Sequence, residues 1–69
     1  MLKPHPSWAT AKYAIGQRIK FIAAKTQAGV ELRDAIVIGY DDQDRLDCRF
    51  SYPSGVSAEG SIHLSRIIR

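Results

Sequence analysis

Two hydrophobic periods divide this chain. From Gln17 the apolar positions alternate, with Ile19, Phe21 and Ala23 on one side and Arg18 and Lys20 on the other. A period of two marks a strand buried on one face, here with a basic outer face. Leu46, Cys48, Phe50 and Tyr52 alternate in the same way with Asp47, Arg49 and Ser51, the cleanest strand pattern in the sequence. Ser57 to Leu64 repeats it more weakly, with Ile62 and Leu64 inward and His63 outward. Between these lies Leu32 to Tyr40, which contains the unbroken apolar run Ala35-Ile36-Val37-Ile38. Such a run fits a strand apolar on both faces or a short buried helix. Its β-branched residues, its length and the following Gly39 favour the strand, but periodicity alone leaves Ala35 to Tyr40 open between the two. Ile67 and Ile68 read as a brief fifth strand after a Ser65-Arg66 link with room for one 3₁₀ turn.

The segments between the strands carry turn chemistry. Asp41-Asp42-Gln43-Asp44 is a polar hairpin loop, and Pro53-Ser54-Gly55 joins a residue that presets φ to one that accepts positive φ. Lys25 to Val30, with Gly29, is expected to be a loop. Before Gly16 the period differs. Trp8 to Ala14 predicts a short helical turn with Ser7 as its N-cap and Trp8 and Lys12 one turn apart. Pro4 and Pro6 keep the first residues extended, so residues 1–12 are expected to be a flexible N-terminal arm and residues 13–69 the domain. Five short strands with tight links predict an all-β fold, a small five-stranded barrel, whose closure removes the exposed edges an open sheet of this size would have.

Size narrows the function. The chain has 69 residues, 45% of them hydrophobic and 25% charged, an ordinary globular composition. A domain this short buries only about 60% of its unfolded surface, and the large enzyme folds do not fit in it. An active site would need a second subunit to build a pocket, so a non-enzymatic binding module without a cofactor is expected. No nucleophile, base and orienting group can be assembled from the sequence, and there is no glycine-rich phosphate loop. An aromatic cage for methylated lysine needs three or four convergent rings, and most of the six aromatics fall at core positions.

The charge is uneven. The formal net charge is +3. Lys3, Lys12, Arg18, Lys20 and Lys25 occupy the first thirty residues with no acid among them. Glu31, Asp34, Asp41, Asp42, Asp44 and Asp47 then dominate the stretch to residue 47, against Arg33 and Arg45. A basic stretch attracts phosphate backbones or an acidic protein face. Six cations make up the candidate set: Arg18, Lys20, Lys25, Arg33, Arg49 and Arg66. Stacking aromatics are also needed for single strands, and Tyr40 and Tyr52, with Trp8, are the candidates.

Metal and membrane readings find no support. The four aspartates of residues 41–47 lack the glycine and glutamate positions of a calcium loop, and His5, His63 and Cys48 match no zinc spacing. Cys48 stands alone in an apolar alternation, which suits a core thiol and a reducing, cytoplasmic setting. No apolar run is long enough to span a membrane, and the N-terminus has no signal-peptide pattern.

Three segments carry a resemblance: Ile15-Gly16-Gln17-Arg18-Ile19 opening the first strand, Ala35-Ile36-Val37-Ile38-Gly39-Tyr40 as the second, and Leu64-Ser65-Arg66-Ile67 at the end. Over about residues 13–69 the chain resembles the SH3-like barrel shared by KOW and Tudor modules. Within that superfold it is similar to plasmid-borne type II dihydrofolate reductase, which also opens on a Gly-polar-Arg step and closes on a Leu-x-Arg-Ile-like segment. That resemblance implies a tetramer with one central pore as active site. The family's pore residues lie in a Val-Gln-Ile-Tyr stretch. The matching stretch here is Gly60-Ser61-Ile62-His63, in which only Ile62 agrees. The leading expectation is therefore a nucleic-acid-associated regulatory module. The alternative is a protein-interaction module (an adaptor or inhibitor, of mobile-element origin) or a self-associating barrel. A pore enzyme ranks third.

Overall fold

Antiparallel pairing accounts for nearly every element of the computed structural model, which describes residues 2–68. The strands are β1 (Arg18–Thr26), β2 (Gly29–Asp42), β3 (Arg45–Ser51), β4 (Ser57–His63) and β5 (Ile67–Ile68). They form one sheet in the order β4-β3-β2-β1-β5. Two 3₁₀ turns, Ala9–Lys12 and Leu64–Arg66, are the only helical pieces among the described residues. Met1 and Arg69, the outer ends of the expected arm and domain, lie outside them.

The ambiguous Ala35 to Tyr40 segment is strand, the middle of the fourteen-residue β2. It is not apolar on two buried faces, however. Ala35 and Val37 enter the core, while Ile36 stays 42% exposed. The register explains the unbroken run. Val37 pairs with Cys48 and Gly39 with Asp47, so Ile38 is an extra residue, a bulge. A bulge shifts which parity faces inward, and Tyr40, an even position, joins the odd positions Ala35 and Val37 in the core. Further register shifts fall at Ala23 in β1 and at Asp41 in β2. Extra residues at such points increase local twist and let a five-stranded sheet curl into a barrel-like form.

The core gathers Ile19, Phe21, Ala35, Val37, Tyr40, Leu46, Cys48, Ile62 and Ile67 from all five strands, with Val37, Leu46 and Cys48 fully buried. Several local expectations change. Lys25 to Val30 is not a loop, because β1 and β2 run on to a two-residue turn, Gln27-Ala28, closed by Gly29 at φ +133°. Ser7 does not cap the first 3₁₀ turn. Trp8 stands at that position without a side-chain hydrogen bond, and the Ser7 hydroxyl pairs with His5 Nδ1 at 2.8 Å. Leu64 leaves β4 and begins the second 3₁₀ turn.

The N-terminal segment has anchors. Thr10 is fully buried, its N–H donating to the Gln43 carbonyl at 3.2 Å and its hydroxyl to the Asp42 carbonyl at 3.3 Å. The Leu2 N–H donates to the Tyr40 carbonyl at 3.2 Å. At the far end Arg66 ties the second 3₁₀ turn to β1. Its guanidinium donates to the Ile22 carbonyl at 2.7 and 3.0 Å and to the Ala23 carbonyl at 3.3 Å. These carbonyls sit at the β1 bulge, where the regular ladder is interrupted and backbone acceptors need another donor.

Candidate nucleic-acid interface

On the outer face, strand register sets the side chains in a row. Arg18 pairs with Ile36, Ile36 with Arg49, and Arg49 with Glu59, so one line crosses β1, β2, β3 and β4. Arg49 donates to Glu59 Oε2 through Nη2 at 2.7 Å and Nε at 3.1 Å. Both side chains are more than half exposed, so solvent screens the pair and leaves Arg49 able to exchange partners. Arg18 makes no ion pair among the described residues. A groove of about 600 Å³ runs along this face and is lined by Arg18, Asp34, Ile36, Arg49 and Tyr52.

The other concavity lies at the inner mouth of the sheet. Phe21, Phe50, Tyr52, Glu31, Arg33 and Arg66 border a pocket of about 310 Å³. The rings meet edge to face, Phe21 to Phe50 at 5.5 Å and Phe50 to Tyr52 at 5.7 Å between centroids. The Arg33 guanidinium carbon lies 4.7 Å from the Tyr52 centroid, and its Nη2 donates to Glu31 Oε1 at 2.9 Å. The side chain is only 18% exposed, and its Nε and Nη1 are buried without an acceptor among the described residues. The two concavities share Glu31, Arg33, Phe50 and Tyr52. Tyr52 therefore stands between the outer groove and the inner pocket.

Of the nine residues singled out from sequence, Arg18, Arg33, Arg49 and Tyr52 meet at the groove, Arg33, Arg66 and Tyr52 meet at the pocket, and Trp8, ahead of the first 3₁₀ turn, borders neither. Arg33 shares the inward face of β2 with Ala35 and Val37 rather than the outer face of Arg18 and Arg49. Tyr40 offers no stacking surface. Its ring is in the core, and its hydroxyl donates to the Tyr13 carbonyl at 2.6 Å. The Arg66 head is held by the β1 carbonyls and sits 5.8 Å from the Phe21 centroid. Lys20 lies in a neighbouring cleft with Tyr13, Ile67 and Ile68 that shares Arg18 and Asp34 with the groove, and Lys25 lies near the β1–β2 turn.

Sequence reasoning missed one constellation. Ser65, His63 and Asp44 form a hydrogen-bonded chain, with His63 Nδ1 at 2.9 Å from Ser65 Oγ and Nε2 at 3.0 Å from Asp44 Oδ2. The Ser65 N–H also donates to Nδ1 at 3.1 Å, so Nδ1 is the acceptor and Nε2 carries the proton toward Asp44. This is a turn motif. His5 and Ser7 repeat the His-x-Ser contacts at 2.8 and 3.3 Å with no carboxylate attached, and His63 caps the second 3₁₀ turn in the same way. The signal was present as two His-x-Ser triplets in the sequence.

Cys48 is a core thiol. Burial, with the Asp47 charge adding to it, pushes its pKa up to about 11, so it stays protonated and poorly nucleophilic. Among the described residues no three His, Cys, Asp or Glu side chains form a group able to hold a metal ion, and no helix is long and apolar enough to cross a membrane. No family model, no curated protein and no solved structure matches the chain.

Proposed function

We propose that the chain is a non-enzymatic module of the SH3-like barrel type that binds single-stranded nucleic acid as part of a regulatory assembly. The observation that carries this reading is the setting of Tyr52. It is a 43% exposed ring, backed by the Arg33 guanidinium, at the junction of a groove bordered by Arg18 and Arg49 and a pocket walled by aromatics. A single strand needs those two components together: cations spaced along the backbone and a ring on which a base stacks. Arg18 and Arg49 take phosphates, Tyr52 takes a base, and Lys20 and Lys25 on the same strand as Arg18 add long-range attraction.

The test is a fluorescence-anisotropy titration of labelled single-stranded DNA and RNA octamers over a series of salt concentrations. Two phosphates neutralised on a single strand give a log–log salt slope of roughly −1.4. Absence of binding to both strand types at low salt overturns the reading.

A second reading has its own support. Ile15 is 61% and Ile36 42% exposed, and both border a shallow depression of about 670 Å³ beside Arg49 and Glu59. An apolar floor with a charged rim suits a protein partner or a second copy of the chain. Sedimentation without nucleic acid separates the two, since only the second reading requires a complex there.

A further inference from the structure

We infer that the pocket walled by Phe21, Phe50 and Tyr52 is a base-recognition subsite that selects guanine. The inference rests on the nucleic-acid reading above and adds what the groove cannot supply, a preference among bases.

The charge of the pocket excludes a cationic guest. Arg33 already occupies the face of Tyr52 at 4.7 Å, and Arg66 stands 5.8 Å from the centroid of Phe21. Against these two cations there is one carboxylate, Glu31, engaged with Arg33 Nη2. A methylated lysine or arginine would meet rings that already carry a cation. The aromatic walls therefore suit a planar guest that is neutral or negative. At about 310 Å³ the space is large enough to admit a base.

The polar groups of the pocket then choose among the bases. Arg66 has its guanidinium committed to the Ile22 and Ala23 carbonyls. Arg33 does not: its Nε and Nη1 have no acceptor among the described residues. A shielded donor without a partner is costly, and a guest acceptor at Nε or Nη1 removes part of that cost, the second Nη2 proton supplying the other prong of the fork. Guanine presents two neighbouring acceptors, O6 and N7, on one edge with no donor between them. Adenine sets a donor beside N7, cytosine offers a donor, and thymine or uracil offers one acceptor on that edge. Arginine against the guanine O6/N7 edge is accordingly the pairing this pocket favours. Tyr52 covers the guanidinium in the absence of a guest. It follows the last residue of β3 and precedes Pro53, outside the buried core cluster, so its ring can move aside and stack on the entering base by giving up its contacts with Arg33 and Phe50.

The experiment uses the intact chain and octamers of thymidine or uridine, whichever strand type binds in the titration above, each with one central guanine, adenine or cytosine. Guanine is expected to bind about tenfold more tightly than either competitor, the effect of one good bidentate contact. Replacing it with 7-deazaguanine, which lacks the N7 acceptor, should abolish most of that advantage, whereas inosine, which keeps O6 and N7, should retain it. Arg33→Lys should bring the affinity for the guanine octamer down to that for the adenine and cytosine octamers measured with the same variant. Equal affinity for all three central bases, or a preference that survives 7-deazaguanine, overturns the subsite and leaves the nucleic-acid reading standing. No binding to any octamer overturns that reading and the subsite with it.

Discussion

The two faces of β2 and β3 carry the same kind of residue in opposite circumstances. On the outer face Arg49 is 60% exposed in its side chain and paired with an equally open Glu59. On the inner face Arg33 is 18% exposed, pressed against Tyr52, and lacks acceptors for two of its nitrogens. The apolar residues divide in the same way, Ile36 facing solvent and Leu46 fully enclosed. The outer face is a surface that tolerates exchange of partners. The inner face is a packed layer in which every group is either satisfied or costly. On the function proposed above, non-specific attraction belongs to the first and discrimination to the second.

The largest test of that division is a pair of truncations. Leu46→Ala should cost about 2–5 kcal/mol in urea unfolding, because it leaves a cavity in the enclosed layer. Ile36→Ala, on the same pair of strands but the other face, should cost less than about 1 kcal/mol. Equal losses would show that the faces do not differ in packing. Next in size is Tyr52→Ala. It should weaken single-strand affinity by about 1–3 kcal/mol, read by anisotropy, while moving the unfolding midpoint little. If stability falls as far as affinity, Tyr52 is part of the packed layer. The smallest effect belongs to Glu59→Gln. Loss of the exposed pair should change stability by less than about 1 kcal/mol and, by freeing Arg49, raise affinity slightly at low salt. A large destabilisation would mean that the outer row is structural.

Much of this fold could be read from hydrophobic alternation, because β3 and the first four residues of β1 place one residue type on each side without interruption. Pro53-Ser54-Gly55 and the Ser65-Arg66 link were equally legible, since their chemistry is local. What was hidden depends on register or on distance. An apolar residue on the outer face, Ile36, and the bulge at Ile38 together make a one-sided strand into an unbroken apolar run, and no propensity distinguishes that from a strand buried on both faces. Arg33 looks like one more cation until its parity with Ala35 and Val37 is counted. Tyr40 and Tyr52 are alike in sequence, yet one is held in the core by the Tyr13 carbonyl and the other stands at a rim. Thr10 is buried by carbonyls of Asp42 and Gln43 more than thirty residues away, which no local pattern announces.

The Arg66 clamp has a consequence for the order in which the molecule assembles. The β1–β2, β2–β3 and β3–β4 pairs are each built across short turns and close quickly from neighbouring residues. Arg66 reaches carbonyls 44 and 43 positions back along the chain, and joining segments so far apart carries a larger entropic cost. The wall that Arg66 contributes to the inner pocket is thus completed after the hairpins. A growing polypeptide that has already exposed Arg18 and Arg49 still lacks that wall, so the outer groove is complete before the inner pocket.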